Sequence, residues 1–146
     1  MLETYPQHFT FAELTHTVQH LPNAPQTWEQ VENLRILGVC LDNIRREFDK
    51  PIRVNCAFRS PDVNRAVGGV KTSAHLDGLA ADICAWSGTE ADNRLLLAIL
   101  EARMSNGIDQ LISYHKVAGN DKSAIRFIHV GFARAGQVAR EQRLYK

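Results

Sequence analysis

The feature that most constrains this chain is one long amphipathic stripe. From Trp28 to Phe48, apolar residues recur at three- and four-residue steps: Trp28, Val31, Leu34, Leu37 or Gly38, Leu41 and Ile44. Glu, Asn and Arg fill the positions between them. That spacing predicts a helix with one buried face, which must be covered by something else in the chain. Lys50-Pro51 ends it, and the text then changes period. Ile52, Val54 and Cys56 alternate with Arg53 and Asn55, the signature of a half-buried strand.

Further elements follow at short intervals. HFTFAELTHT reads as a short helix, with Thr10 as its cap, Glu13 three residues on, and Phe9 just before the cap. Ser60-Pro61-Asp62 opens another short helix, which Gly68-Gly69 closes. Leu79 to Cys84 suits a strand entering the core. Glu90 to Met104 is a second clear helix carrying Leu95, Leu96, Ile99 and Leu100, stopped by Asn106-Gly107. Asp109–Tyr114 and Ala124–Phe132 read as strands around the loop VAGNDKS. Helices come early and strands cluster late. The expected class is α+β, with a small, mainly antiparallel sheet and helices packed on it. At 146 residues a single domain over 1–146 is expected, with 133–146 as a loosely ordered tail.

The bulk numbers exclude several classes. Net charge is +1, which calls for neither nucleic acid nor an anionic membrane. No stretch has the apolar length of a membrane span. MLETYPQHFT lacks the basic and apolar regions of a secretory signal, so the expected location is cytoplasmic in the producing cell. Cys40, Cys56 and Cys84 form an odd set without a CxxC pair, which fits reduced thiols.

The stretch SAHLDGLAAD carries the chemistry. His75 and Asp82 stand seven positions apart, with Gly78 permitting a bend and Ala80 and Ala81 leaving room for close passage. A catalytic zinc takes three N or O ligands and keeps a fourth position for water. His129, in the apolar run RFIHVGF, is the best third candidate. From spacing alone the bland reading stands beside this one: a hydrogen-bonded core histidine and a turn-capping aspartate.

The chain also resembles a known family. RVNCAFRSPDVNRAVGGVKTSAHLDGLAADI is similar to the core of the M15 zinc peptidases, of the hedgehog/DD-peptidase type. It looks closest to the small phage-type members related to D-Ala-D-Ala carboxypeptidases and L-alanyl-D-glutamate endopeptidases. The matching signs are Arg59, Ser60-Pro61, Asn64, Gly68-Gly69, Ser73-x-His75-x6-Asp82 and Phe127-Ile128-His129. They run from about residue 8 to about residue 132. The resemblance implies a single site for one zinc ion per chain, held by His75, Asp82 and His129. It implies that Arg59 holds the substrate and that Ser73 lies near the bound peptide, although Ser73 suits a loop cap equally well. The implied partner is a peptidoglycan peptide, cleaved in its stem or cross-link by a monomer acting on the wall after release or within a phage particle.

Three departures qualify this. In many relatives an acidic residue stands three positions before the last histidine; here it is Arg126, which cannot accept a proton. Substitute bases are Asp121 first and His115 second, with Asp109 also nearby in sequence. Cys56 stands where relatives commonly carry Ser, and Phe58 where they often have Tyr; both read as packing swaps. Cys56 has no histidine beside it in sequence and is not placed like a nucleophile. The competing readings are a catalytically degenerate zinc-holding domain that binds wall peptide or serves as a structural phage component, and an interaction domain without metal.

Overall fold

A computed structural model describes residues 5–146. The element order is α1 (Phe11–Leu14), α2 (Trp28–Phe48), β1 (Ile52–Cys56), α3 (Pro61–Ala66), a 3-10 helix (Ala74–Asp77), β2 (Ala80–Ala85), α4 (Glu90–Ala102), β3 (Ile108–His115), β4 (Ile125–Phe132) and β5 (Gln142–Tyr145). The five strands form one sheet in the order β1-β2-β4-β3-β5. Its neighbours are antiparallel except β3 and β5, which run parallel. The class is α+β, as the order of periodicities predicts.

Local chemistry sets the helix starts. Thr10 and Glu13 form a reciprocal capping box on α1, and Thr27 and Gln30 form one on α2. Ser60 caps α3 with Pro61 in its first turn, and Thr89 caps α4. Asp49 ends α2 in the left-handed region at φ 56°, just before Pro51. The α2 stripe is buried from Leu34 onward, through Leu37, Leu41, Ile44 and Phe48. Each such side chain contributes about 1.5–3 kcal/mol of burial. The N-terminal segment crosses α2 at Gly38, where a Cβ would lie 2.8 Å from the Pro6 ring. Asp42, fully buried on α2, fixes that segment by accepting from the backbone N–H groups of Gln7 and His8.

Two expectations change. Trp28 is 82% exposed, so the stripe's first residue is outside the core, and Leu95 on α4 is also exposed. The tail is not loose throughout: Gln142–Tyr145 adds a strand to the sheet edge, paired from Gln110↔Gln142 to Ser113↔Tyr145. Arg140 fastens its approach by donating to both carboxylate oxygens of Asp109, Nε to Oδ1 and Nη2 to Oδ2. Its signal is short and polar, because an edge strand buries little. Among the described residues no helix is long and apolar enough to cross a membrane.

The sheet has two unlike faces. Ala81, Ile83, Ala85, Leu111, Ile128 and Val130 join the core with α2 and α4. The alternate residues, including Asp82 and His129, lie on the other face.

Candidate metal centre

Strand register creates the first contact. Asp82 on β2 is the direct partner of His129 on β4, so their side chains leave the same face of the sheet. Asp82 Oδ1 lies 3.0 Å from His129 Nδ1. His75 arrives from the 3-10 helix, whose first turn Ser73 caps by accepting from the His75 N–H. The link between His75 and Asp82 needs the glycine at 78. Its φ is +76°, and a Cβ there would sit 3.0 Å from both the Gln30 carbonyl oxygen and Leu34 Cγ. His75 Nε2 then lies 3.3 Å from Asp82 Oδ1. One carboxylate oxygen is thus shared by two imidazoles, whose rings meet edge-on with centroids 5.1 Å apart.

The ring of His75 is fixed and buried. Its Nδ1 lies 2.6 Å from the Ala57 carbonyl oxygen, which only accepts, so Nδ1 carries the proton and donates. That leaves Nε2 to face Asp82. This nitrogen is buried and has no hydrogen-bond partner: its approach to Asp82 is an ion-pair distance without hydrogen-bond geometry. An orphaned buried nitrogen aimed at a carboxylate fits a cation between them. A carbonyl that fixes the tautomer of a ligating histidine is the usual supporting arrangement. Burial pushes the His75 pKa down, but its contacts with Asp82 and Cys56 outweigh this and raise it to about 9. Burial also works against the Asp82 charge, yet His129 and His75 hold its carboxyl far below the usual range. Both shifts mark a pocket that favours positive charge beside Asp82.

A second group of residues borders the pair on the β1 side. Arg59 donates from Nη2 to Asp82 Oδ2 at 3.4 Å, from Nη1 to Asn64 Oδ1 at 3.3 Å, and from Nε to Cys56 Sγ at 3.3 Å. Asn64 is itself buried and donates to the Val70 carbonyl at 3.0 Å. Gly69 makes this packing possible, since a Cβ would fall 2.0 Å from Asn64 Oδ1 and 3.1 Å from Arg59 Nη1. The ligand atoms of Cys56, His75 and Asp82 all lie within 4.8 Å of one another, a spacing that can hold a metal ion.

The model of the family described as peptidase M15 matches residues 7–118. This chain belongs to the peptidase M15 family. No curated protein matches it closely enough to add to that statement. The M15 match spans Cys56, Arg59, His75 and Asp82. His129 lies beyond it and is tied to the cluster by the β2–β4 register.

The other residues expected at an M15 site are distributed differently. Ser73 is occupied as the cap of the 3-10 helix. Neither substitute base is brought to the cluster. Asp121 is exposed on the turn between β3 and β4, and Arg94 of α4 holds that turn through the Ser123 carbonyl. His115 is buried, with Nε2 against Ser113 Oγ and Nδ1 against the Ser123 carbonyl, so both nitrogens are used away from Asp82. Asp109 is bound by Arg140 at the sheet edge. Arg126 is exposed, over the Phe127 ring. Among the described residues no second carboxylate forms a hydrogen bond or ion pair with His75, Asp82 or His129.

Sequence reasoning missed two neighbours. Tyr114 is paired with Phe127 on the site face and stacks on its ring at 4.5 Å. Burial, with the charge of Asp82, holds its hydroxyl above the ordinary tyrosine range. Cys56, read as a packing residue, sits beside both His75 and Arg59. Burial opposes its ionisation, but those two groups prevail and keep the thiol below its usual range.

Proposed function

We propose that the protein is a zinc-dependent peptidase, with His75 Nε2, Asp82 and His129 Nδ1 as metal ligands and peptidoglycan stem or cross-link peptides as substrate. The observation that carries the metal assignment is the buried, unpartnered Nε2 of His75, aimed at the carboxylate that also receives His129. Zinc bound there would supply Lewis acidity toward a peptide carbonyl and a water made acidic near neutral pH.

The chain's own groups do the rest. Asp82 and the Ala57 carbonyl hold the two imidazoles in place, one by charge and one by tautomer. Arg59 is the group for the substrate. Its contacts with Asn64 and Asp82 are 3.3–3.4 Å long, near the outer limit of N–H···O hydrogen bonding, so the guanidinium exchanges them at little cost. A peptide carboxylate, or a carbonyl oxygen gathering negative charge, can accept two parallel bonds from its fork, which none of its single contacts with Cys56, Asn64 and Asp82 provides. Tyr114 offers a neutral hydroxyl on the same face as a further donor. The wall-peptide substrate rests on the M15 motifs around Arg59, Asn64 and Gly69.

One observation favours a second reading, a domain that holds zinc and binds wall peptide without cutting it. Among the described residues no carboxylate other than Asp82 forms a hydrogen bond or ion pair with the cluster, and Arg126 stands where many relatives carry an acid. Digestion of purified peptidoglycan followed by mass analysis separates the two. The peptidase reading expects new peptide termini, lost with chelator and in His129→Ala. Full zinc occupancy with intact stems from every wall chemotype would establish the binding reading instead.

A further inference from the structure

The strand β4 breaks the alternation expected of a strand. Ile125 and Ile128 are both buried in the core although they stand three residues apart. The register with β3 explains this. Tyr114 pairs with Phe127, but His115 pairs with Ile125, so β4 advances two residues where β3 advances one. Such a bulge leaves one residue over and re-aims its side chain. The residue here is Arg126. Its exposed side chain follows Phe127 to the open face of the sheet, where the guanidinium lies over the Phe127 ring, 5.8 Å from the centroid. That ring stacks in turn on Tyr114. Phe127 stands two residues before His129 on the same face, a separation of about 6.5–7 Å along a strand. A cation on an aromatic bed is therefore set beside the metal cluster.

Among the described residues no carboxylate pairs with that cation, whose contact is the Phe127 ring. Other arginines are matched with acids: Arg94 with Glu90, Arg103 with Glu47, Arg134 with Asp77 and Arg140 with Asp109. Asp82, the carboxylate of the cluster, is already engaged by His75, His129 and Arg59. We infer that Arg126 is a specificity residue, which donates to a non-terminal carboxylate of the bound peptide. The strand spacing puts that carboxylate about two extended residues from the peptide bond at the metal. The inference rests on the wall-peptide reading above, in its cleaving or its binding form, and adds a second anion contact to that of Arg59. The aromatic ring covers one face of the guanidinium and holds it in place. The N–H groups at its edge stay in the guanidinium plane, the geometry that a carboxylate accepts. An acid at this position would repel such a substrate group, whereas the arginine attracts it.

Two synthetic stem peptides test this on the intact, zinc-loaded protein. Both keep the C-terminal carboxylate; one has its internal carboxylates free and the other has them amidated. The readout is affinity, or kcat/KM where the peptide is cut. Wild type should prefer the free form at least ~10-fold, the discrimination expected of a charge-assisted contact. Arg126→Gln should abolish that preference by weakening the free form alone, with zinc content and circular dichroism unchanged. Arg126→Glu should reverse it. Arg53→Gln is the control. It removes the same charge from the same face at β1, where Arg53 pairs with Cys84 and lies over Trp86 instead, and it should keep the preference. Equal loss with Arg53→Gln would assign the effect to the general field and overturn a contact at Arg126. A wild type indifferent to amidation, or a preference that survives in Arg126→Gln, would overturn it too. Each of these leaves the wall-peptide reading standing. Binding of neither peptide would overturn both.

Discussion

On β2, two sets of residues one step apart live in different chemistry. Ala81, Ile83 and Ala85 point into the core beneath α2 and α4. Asp82 and Cys84 point the other way, where Asp82 meets His75, His129 and Arg59. The core face is held by shape and area, which many apolar residues supply. The site face is held by individual atoms at 3.0–3.4 Å, which few residues supply. The strand that is most ordinary on one side is therefore the least replaceable on the other.

Substitutions on the two faces should separate stability from chemistry. The largest effect is expected from Asp82→Asn, which keeps the shape and removes the charge shared by two imidazoles. Zinc affinity should drop at least ~100-fold and wall digestion should cease, while circular dichroism stays that of a folded chain. A variant that kept full zinc would place the metal elsewhere. Next comes Ile83→Ala, one residue away and fully buried. Denaturant unfolding should show a loss of about 2–5 kcal/mol, and the folded fraction should still bind one zinc. Loss of metal from that folded fraction would mean that the two faces are coupled. Third is Arg59→Lys, which preserves charge but not the fork. It should retain zinc and lower kcat/KM about 10–100-fold. An unchanged rate would leave Arg59 as only a brace for Asp82.

The same contrast explains what could be read in advance. Both long helices, the cap residues Thr10 and Ser60, and strands β1 to β4 follow from periodicity and punctuation, because core burial repeats along the sequence. That His75, Asp82 and His129 would approach one another was expected only through motif resemblance, since nothing in their spacing states that β2 and β4 are neighbours. The register shift in β1 that brings Cys56 opposite Asp82 was hidden: it breaks an alternation that the residues themselves keep. Asp121 and His115 were misplaced for a related reason. Nearness to the last histidine along the chain says nothing about which face of the sheet a residue occupies, and the β3–β4 turn is tied toward α4 instead. The strand β5 was missed because Gln142, Arg143 and Leu144 are only partly buried and leave little apolar pattern.

The smallest expected effect lies at that edge, far from the metal. Asp109 accepts from the backbone and guanidinium of Arg140, which together hold its carboxyl below the usual range. A depressed folded pKa stabilises the folded chain above the unfolded value of about 3.9, and the gain disappears as pH falls through the lower folded value. Arg140 is more than half exposed, so screening limits the contribution to no more than about 0.5–1 kcal/mol. Asp109→Asn should therefore lower stability slightly at neutral pH and not at all in strong acid. Hydrogen exchange should read the loss at Gln142–Tyr145 before anywhere in β2 or β4. If exchange at Asp82 and His129 rose equally, the edge strand would be supporting the site and not merely closing the sheet.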